Sequence, residues 1–346
     1  MGSTGSIGRS TLEVIAASGG RLEVAGLAAN TSVQQLSEQA RQFAPDWVVA
    51  ADIESAARED WAIPDGTKSY VGGDHISELV QRDDIDIVVA AIVGSAGLRS
   101  AWAALEAGKP LALANKETLV MAGPLVTRLA AERGARILPV DSEHSAIFQA
   151  LCGRGGGADE VSRIILTASG GPFRDFTRAQ LNDVTVEQAL SHPTWDMGPK
   201  ITVDSATMMN KALEIIEARW LFDVPADKIS VVVHRQSVVH SMVEYCDGSV
   251  LAQMSPPDMK LPIQYALTYP ERWPSPAAKL DFGEHWQLDF SPPDFERFPS
   301  LALGFEAAER GGTTGAVLNA ANEAAVAEFL AGRLPFHQIV PACRAV

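Results

Sequence analysis

Long apolar runs, paired cysteines and an excess of positive charge are all absent from this 346-residue chain. No apolar run approaches the roughly 20 residues of a membrane-spanning helix, so we expect no integral membrane protein. The formal net charge of −15 argues against a nucleic-acid surface and against an anionic-membrane surface, because both require basic patches. Three scattered cysteines without CxxC spacing indicate neither a disulfide framework nor a cysteine zinc site, and they favour a reducing, cytoplasmic compartment.

The composition that remains is that of an ordinary globular protein. Hydrophobic residues make up 47% and charged residues 21% of the chain, and the length suffices for two or three domains. No signal or transit peptide is expected, since the first motif already begins at Gly2.

That motif, the glycine turn (residues 2–8), reads Gly-Ser-Thr-Gly-Ser-Ile-Gly and leads into a helical pattern. Glycines let a backbone approach a pyrophosphate, and the N-terminus of the helix supplies amide donors and a positive dipole end. Alone the motif is weak, because a flexible glycine-rich terminus has the same composition. Strands are predicted at 22–27, 47–51, 85–93, 111–114 and 137–140, mostly separated by helical patterns, which is typical of a doubly wound parallel sheet.

Two features of this region depart from a complete dinucleotide fold. A fingerprint of this kind follows a strand, yet only Met1 precedes it, so we expect the central first strand to be absent and the start of the chain to be truncated. No carboxylate stands at the end of the next strand, where Ala28, Ala29 and Asn30 are found, which favours NADP over NAD. No arginine or lysine stands there to hold a 2′-phosphate either.

Carboxylates at the ends of later segments are candidate metal ligands. Asp141 and Glu143 follow the strand at 137–140, and residues two apart on an extended chain point the same way. With Glu214 they give three hard oxygen ligands and no cysteine or histidine, which suits Mg²⁺ or Mn²⁺ better than zinc. Lys116 follows the strand at 111–114 and is expected at the same sheet edge. Solvated acids and a surface ion pair are the alternatives.

Candidate anion ligands come from two segments. A small-residue turn at 167–173 closes an apolar strand predicted at 164–166 and exposes amides and a hydroxyl, and its residues 169–171 are called the serine turn. A helix is expected to open near Ser205, with Ser205 as its N-cap. Asn210, Lys211 and Glu214 then share one face of it. This set suits a phosphate together with a metal ion, although Ser205 could also be only a capping residue and the serine turn only a turn.

The segment 192–198 reads as a loop that contains Trp195. A tryptophan in such a loop is typical of a lid that excludes water, and the alternative is a tryptophan anchored in the core. Strands are predicted at 229–234, 237–245 and 249–254, and residues 255–259 end that sheet. His234 and His240 are expected to be packed rather than catalytic. Helices are predicted at 300–310 and 316–330.

These motifs resemble one family, 1-deoxy-D-xylulose 5-phosphate reductoisomerase, the NADPH- and metal-dependent enzyme of the methylerythritol phosphate route to isoprenoids. They occur in family order from Gly2 to about Val326, nearly the whole chain, and jointly they are highly specific. The matching motifs are G-S-T-G-S-I-G, A-N-K-E-T-L-V, P-V-D-S-E-H-S-A-I-F-Q, S-G-G-P-F, H-P-T-W-D-M-G, V-D-S-A-T-M-M-N-K-A-L-E and L-N-A-A-N-E-A-A-V. Ala28-Ala29 and Ala168 depart from the family's pattern.

The resemblance implies a role for each candidate residue. The metal ligands would be Asp141, Glu143 and Glu214, which with Lys116 form the catalytic set. The substrate would be bound by Ser142, Glu143 and Glu214, its phosphate by Ser169, His192, Ser205, Asn210 and Lys211, and the lid would include Trp195 and Met197. The NADPH site would be lined by Gly2, Ser3, Thr4, Gly5, Ser6, Ile7, Asn30, Gly94, Asn115, Glu117, Gly198 and Met259.

The resemblance also implies a reaction and an assembly. The metal would chelate substrate oxygens, the carbon skeleton would rearrange, and NADPH would deliver a hydride to give 2-C-methyl-D-erythritol 4-phosphate. A small phosphorylated sugar would be the substrate, and the protein would be a homodimer. Two alternatives remain at this point: another NADP-dependent oxidoreductase of similar layout, and a non-catalytic, unstable fragment.

The expected fold class is α/β in three domains. Residues 1–141 would form a Rossmann-like NADPH-binding domain without its first strand. Residues 142–268 would form an α+β catalytic domain with a lid at 191–198. A linker at 269–294 would lead to a helical domain at 295–346, which we expect to be truncated.

Overall fold

A computed structural model describes residues 1–152, 160–192, 197–283 and 285–346. The chain divides into two compact units. Unit one comprises Met1–Thr118, Leu125–Asp141 and Met259–Ala277, and unit two comprises Leu119–Pro124, Ser142–Asp258 and Ala278–Val346.

Helices and strands alternate in the first half of the chain. The strands are β1 (Gly26–Ala29), β2 (Trp47–Ala50), β3 (Lys68–Val71), β4 (Val88–Ala90), β5 (Leu111–Leu113), β6 (Ile137–Pro139), β7 (Val161–Ala168), β8 (Ile229–Val233), β9 (Val239–Tyr245) and β10 (Val250–Met254). The α-helices are α1 (Ser6–Ala17), α2 (Val33–Phe43), α3 (Ile53–Arg58), α4 (Asp74–Leu79), α5 (Gly97–Glu106), α6 (Glu117–Arg133), α7 (Ser142–Leu151), α8 (Val186–Ala189), α9 (Pro199–Ala206), α10 (Met209–Leu221), α11 (Lys260–Thr268), α12 (Ser300–Arg310), α13 (Thr314–Leu330) and α14 (Ile339–Ala345).

Unit one contains two parallel three-stranded sheets, with strand orders β1-β2-β3 and β4-β5-β6. The middle strands β2 and β5 are buried along their whole length. Strands covered on both faces are continuous apolar runs, and this is why the sequence pattern predicted them. The parallel sheets with intervening helices confirm the predicted α/β class.

Met1 and the glycine turn that follows it hydrogen-bond to both sheets of unit one. The amides of Gly2 and Ser3 donate to the carbonyl of Ala28 in β1, at 2.8 and 2.9 Å. The amino group of Met1 donates to the carbonyl of Val89 in β4, at 2.9 Å. The turn therefore lies where β1 and β4 approach each other, and α1 begins directly after it.

Unit two is built on a mixed sheet with strand order β10-β9-β7-β8, in which β7 is parallel to β8 and antiparallel to β9. Helix α10 lies in the core, since every residue from Lys211 to Ala218 is buried. Helix α12 packs directly on it, because a Cβ on Gly304 would lie 2.6 Å from the Cα of Ala212. One core cluster includes residues of β7, α10, α12, α13 and α14.

Several predicted elements match closely and others were wrong. Helix α12 occupies 300–310 as predicted, whereas β1 is displaced from 22–27 to 26–29. Strand β3 was not predicted, because its sequence KSYV is polar and mostly exposed. His234 and His240 are buried, at 0% and 4% exposure, which confirms that they are packed.

The helix predicted to open near Ser205 was wrong. Helix α9 begins at Pro199, so Ser205 lies in its last turn and is not an N-cap. Met208, with φ of 60°, adopts a left-handed conformation that separates α9 from α10. Asn210 and Lys211 therefore lie in the first turn of α10, and the predicted proximity of polar residues to a helix N-terminus holds for them.

Within the described residues, no helix is both long enough and apolar enough to cross a lipid bilayer.

Candidate active site

An ion pair lies just beyond the carboxyl-terminal ends of β5 and β6 in unit one. Lys116 is the residue before α6, and Asp141 lies two residues after β6. The Lys116 Nζ donates to Asp141 Oδ2 at 2.8 Å, and the two side chains are only 5% and 11% exposed. The alternative of a solvated surface pair is therefore excluded by burial.

Two carboxylates meet around one lysine in unit two. Glu143 lies in the first turn of α7, and Glu214 lies in α10 with no exposed surface. Their carboxylate oxygens lie within 4.8 Å of each other. Lys211 Nζ is 3.9 Å from Glu143 Oε1 and donates to Glu214 Oε2, and Asn210 donates to the other oxygen of Glu214.

The arrangement fits a hard divalent cation. Asp141 precedes Glu143 by two residues along the chain. All the acidic donors are oxygens, which suits Mg²⁺. Carboxylates as close as those of Glu143 and Glu214 repel each other unless positive charge lies between them. In this structure Lys211 supplies that charge.

A histidine joins the two helices that carry the carboxylates of unit two. His144 Nε2 is 3.1 Å from the main-chain oxygen of Glu214, and its Nδ1 is 3.4 Å from Glu217 Oε2. His144 and Glu217 are 0% and 1% exposed. Glu217 was not predicted as a site residue from the sequence, although its position three residues after Glu214 places it on an adjoining part of the same helix face.

The serine turn is formed by two left-handed glycines. Gly170 and Gly171 have φ of 84° and 68°, and the amide of Gly171 donates to Ser169 Oγ at 3.2 Å. His192 Nε2 lies 3.5 Å from Ser169 Oγ. Arg174, which sequence analysis missed, donates through Nη1 to the main-chain oxygen of Ser169 at 3.0 Å. The turn thus presents a hydroxyl beside a guanidinium and an imidazole.

His192 is neutral at physiological pH. Burial lowers its pKa from 6.5 to about 4, and the positive charge of Arg174 lowers it further in the same direction. A neutral imidazole can donate from one ring nitrogen and accept at the other. His192 therefore contributes hydrogen bonding rather than charge to this part of unit two.

Ser205 and Asn210 are partly exposed within an otherwise buried segment. Between 202 and 210 these two residues are partly exposed and all the others are buried. A Cβ on Gly171 would lie 2.5 Å from the main-chain oxygen of Ser205, so the serine turn packs directly against the end of α9. The structure thereby brings the serine turn next to Ser205, although the two are far apart in sequence.

The predicted lid is described only in part. Trp195 lies outside the described residues, as does all of 193–196. Met197 is half-buried and Gly198 is exposed, and Thr202 Oγ1 donates to the main-chain oxygen of Gly198 at 2.9 Å. Ser142 donates to Glu143 Oε2 at 2.9 Å, at the start of α7.

The residues predicted to bind a nucleotide lie around the sheets of unit one, apart from Gly198. Asn115 donates to the main-chain oxygen of Gly94 at 3.1 Å and to Glu117 Oε2 at 2.8 Å, which ties the loops after β4 and β5 together. Asn30 is exposed immediately after β1, and Met259 directly precedes α11. Thr4 to Ile7 surround the start of α1, where Gly5 is the N-cap residue without a side-chain cap.

Comparison with protein families gives three consecutive matches. The model for 1-deoxy-D-xylulose 5-phosphate reductoisomerase matches residues 1–123. Models for the C-terminal domain of the same enzyme match residues 137–222 and 254–346.

Curated relatives cover almost the whole chain. The 1-deoxy-D-xylulose 5-phosphate reductoisomerase of Chlorobium chlorochromatii is 55% identical, over 98% of this chain and 88% of the relative. That of Rhodopirellula baltica is 49% identical, over 99% of this chain and 87% of the relative.

Solved structures agree in fold. A crystal structure of DOX-P reductoisomerase in complex with NADPH, fosmidomycin and magnesium has a TM-score of 0.94 and 43% identity, covering 99% of this chain and 87% of that one. The enzyme from Zymomonas mobilis in complex with NADPH has a TM-score of 0.89 and 45% identity, covering 99% and 89%.

Proposed function

Because the chain belongs to the 1-deoxy-D-xylulose 5-phosphate reductoisomerase family, we propose that it isomerises and reduces 1-deoxy-D-xylulose 5-phosphate to 2-C-methyl-D-erythritol 4-phosphate in isoprenoid biosynthesis. It is an NADPH-dependent oxidoreductase that uses Mg²⁺, since a similar structure holds both ligands. The observation that carries the proposal is that the carboxylates of Glu143 and the buried Glu214 both lie within 4 Å of the buried Lys211 ammonium.

Asp141, Glu143 and Glu214 are the proposed metal ligands, and Mn²⁺ is a second metal that suits the same oxygen donors. A bound metal would supply Lewis-acid polarisation of the substrate's carbonyl and hydroxyl oxygens. The chain's own lysines have a separate role. Lys116 and Lys211 balance the carboxylate charge, and Lys116 with Ser142 contacts the substrate backbone.

The phosphate of the substrate is assigned to the serine turn and to the exposed side chains beside it. Ser169 and Ser205 donate hydroxyl hydrogen bonds, Lys211 supplies charge, and neutral His192 donates one ring N–H. Asn210 supplies its amide from the first turn of α10. Contacts to a phosphate remote from the reacting carbons orient the substrate and so lower the barrier.

The pyrophosphate of NADPH is assigned to the glycine turn and the N-terminus of α1, because amide donors and the helix dipole converge there. Asn30, Gly94, Asn115, Glu117, Gly198 and Met259 complete the proposed nucleotide site. Residues 1–141 are accordingly proposed as the nucleotide domain, 142–268 as the catalytic domain with Trp195 and Met197 in its lid, 269–294 as a linker, and 295–346 as a helical domain.

A homodimer in the cytoplasm is the proposed state of the protein. Strand β10 is an edge of its sheet, and Val250 and Leu251 on it are 46% and 50% exposed. An exposed apolar edge strand is suited to pairing with a second copy. Cys246 and Cys343 are free thiols, which fits a reducing compartment. Light scattering of the purified protein, compared with a Leu251→Lys variant, tests the dimer.

The activity test mixes the purified chain with 1-deoxy-D-xylulose 5-phosphate, NADPH and Mg²⁺ and follows loss of the nicotinamide absorbance, with and without a chelator. We expect metal-dependent oxidation, and a fall of about 1,000-fold in kcat/KM for Glu214→Gln, equivalent to about 4 kcal/mol. Glu328→Gln on the exposed side of α13 is the matched control, because the Glu328 carboxylate accepts from the exposed Arg333 and is not among the proposed site residues.

Three outcomes would contradict the proposal. Oxidation of NADPH that persists with chelator, or that occurs with other carbonyl substrates and not with this one, would favour another NADP-dependent oxidoreductase. Absence of a cooperative thermal transition would favour an unstable fragment. A cooperative transition without any turnover would contradict the assigned reaction.

A further inference from the structure

The L-N-A-A-N-E motif of α13 has no role in the chemistry proposed above, yet one of its side chains forms a hydrogen bond with a residue near the end of α9. Asn322 Nδ2 donates to Asp204 Oδ1 at 2.8 Å, over a separation of 118 residues. Both side chains are buried, at 0% and 1% exposure. Hydrogen bonds to a buried carboxylate are strong, because the group has lost its hydration. Asn322 therefore fixes where Asp204 lies.

Asp204 is a buried charge whose partners come from two helices. Lys200 Nζ, one turn earlier in α9, lies 2.8 Å from Asp204 Oδ2. The Asp204 carboxylate is thus held between α9 and α13.

Among the described residues, the Asn322 side chain makes no hydrogen bond other than the one to Asp204. Its Oδ1 is buried without a hydrogen-bond partner in that part of the chain. A buried polar atom left in this way costs stability, and the bond from Nδ2 to Asp204 offsets part of that cost. That bond is directed at Asp204, next to Ser205.

The turn at residues 204–207, the Ser205 turn, is held at two further points. Ser300 in α12 donates to the main-chain oxygen of Thr207 at 2.6 Å, and both residues are buried. On its other side the main-chain oxygen of Ser205 meets Gly171 so closely that a Cβ would lie 2.5 Å away. The Ser205 turn is therefore fixed between the C-terminal helices and the serine turn.

We propose that Asp204, held by Asn322, is a positioning residue that sets Ser205 and the serine turn for the substrate phosphate. The inference rests on the proposed function only in assigning the phosphate to these residues. The C-terminal helices would then act on substrate affinity through the Ser205 turn without touching the substrate.

Charge and position predict opposite effects of Asp204→Asn. Removing a negative charge near an anion site would tighten phosphate binding if charge alone mattered. If Asp204 positions Ser205, phosphate binding weakens, because the Lys200 pair and the charge-assisted bond from Asn322 are both lost. We expect the dissociation constant for inorganic phosphate, measured calorimetrically on the unliganded protein, to rise about tenfold, equivalent to about 1.4 kcal/mol.

Asn322→Leu removes the same bond from the other side and is expected to weaken phosphate by a similar factor. Its matched control is Asn319→Leu, one turn earlier in α13. Asn319 is equally buried, but its amide donates to Glu323 rather than to α9. Ser300→Ala is a milder second variant that keeps the test valid if Asn322→Leu fails to fold.

A purely structural role predicts something different. It would lower the melting temperature of Asn319→Leu and Asn322→Leu alike and leave phosphate affinity and KM unchanged below the transition. That result would overturn the proposal, as would tighter phosphate binding in Asp204→Asn. Absence of phosphate binding to the wild-type protein would also overturn it. A protein that binds phosphate with the expected pattern but does not turn over 1-deoxy-D-xylulose 5-phosphate would contradict only the proposed function.

Discussion

The glycine turn and the serine turn are both proposed to hold phosphate groups, yet they are stabilised differently. The closest packing of the glycine turn is internal, since a Cβ on Gly8 would lie 2.3 Å from the main-chain oxygen of Gly2. The serine turn instead packs against Ser205, and Ser205 is fixed through Asp204 by Asn322. A site made of consecutive residues can be recognised from sequence, whereas one assembled from distant segments can be recognised only in part.

Of the variants that alter one of the two turns, the largest effect is expected in the glycine turn, whose closest packing is internal. Gly8→Ala would place a methyl group 2.3 Å from Gly2 O and 2.4 Å from Ser3 Cα, so the glycine turn must change shape. We expect NADPH to bind at least about 100-fold more weakly, equivalent to about 2.7 kcal/mol. Fluorescence titration with NADPH measures this, and phosphate affinity serves as the internal comparison.

Gly73→Ala is the control for that substitution. Its φ is −64° and the added Cβ would make only an ordinary contact of 3.8 Å with Ala51. Equal weakening of NADPH binding by both variants would show that NADPH binding does not depend on the shape of the glycine turn. A large loss of phosphate affinity in Gly8→Ala would show that the two turns are not independent.

The second prediction concerns a residue recognised only from the structure. Glu217→Gln removes the charge facing His144, which links α7 to the main chain at Glu214. Loss of a group that orients metal ligands costs about 10- to 100-fold in metal affinity. Titration of the unliganded protein with Mn²⁺, followed by electron paramagnetic resonance, measures that affinity directly. Unchanged affinity, with only a lower melting temperature, would leave Glu217 as a packing residue.

The fold illustrates the same distinction between local and distant information. Helix α12 was predicted at its observed bounds because its apolar period and glycine boundary are contained in its own sequence. The break between α9 and α10 was missed, since the left-handed conformation of Met208 is unusual for methionine and no local signal indicates it. Strand β3 was missed because an exposed edge strand lacks an apolar pattern.

The candidate site divides in the same way. Asp141, Glu143 and Glu214 were predicted from residue type and spacing, and the Lys211 contacts follow from helix periodicity. Asp204 with Asn322 could not be predicted, because nothing in either segment indicates which distant residue it meets. Arg174 is similar, since its hydrogen bond to Ser169 depends on the shape of the serine turn.

Gly171→Ala tests the contact between the serine turn and Ser205, which is distant in sequence. Gly171 has φ of 68°, and an added Cβ would lie 2.5 Å from Ser205 O. Gly248→Ala is the matched control, because Gly248 has φ of 86° with open space around it. Both variants carry backbone strain, but only the first displaces Ser205. We expect about tenfold weaker phosphate binding in Gly171→Ala alone, equivalent to about 1.4 kcal/mol. Equal phosphate affinities in the two variants would contradict the role of that close approach.

The smallest expected effect is the pH dependence contributed by His192. Its pKa is lowered from 6.5 to about 4, chiefly by burial, so the unfolded chain binds a proton at higher pH than the folded one. The stabilising contribution is therefore intact above the unfolded pKa and is lost as the pH falls from 6.5 towards 4. Because His192 is only partly buried, we expect this loss to be less than about 1 kcal/mol.

Denaturant unfolding as a function of pH measures that loss, and His192→Asn should reduce it. His75→Asn, at a side chain that is 41% exposed, controls for removal of a surface histidine. Nuclear magnetic resonance titration of the imidazole gives the sign directly. A His192 that becomes protonated above pH 6.5 in the unliganded protein would mean that the serine turn contains a charged imidazole. Its affinity for phosphate would then rise on acidification.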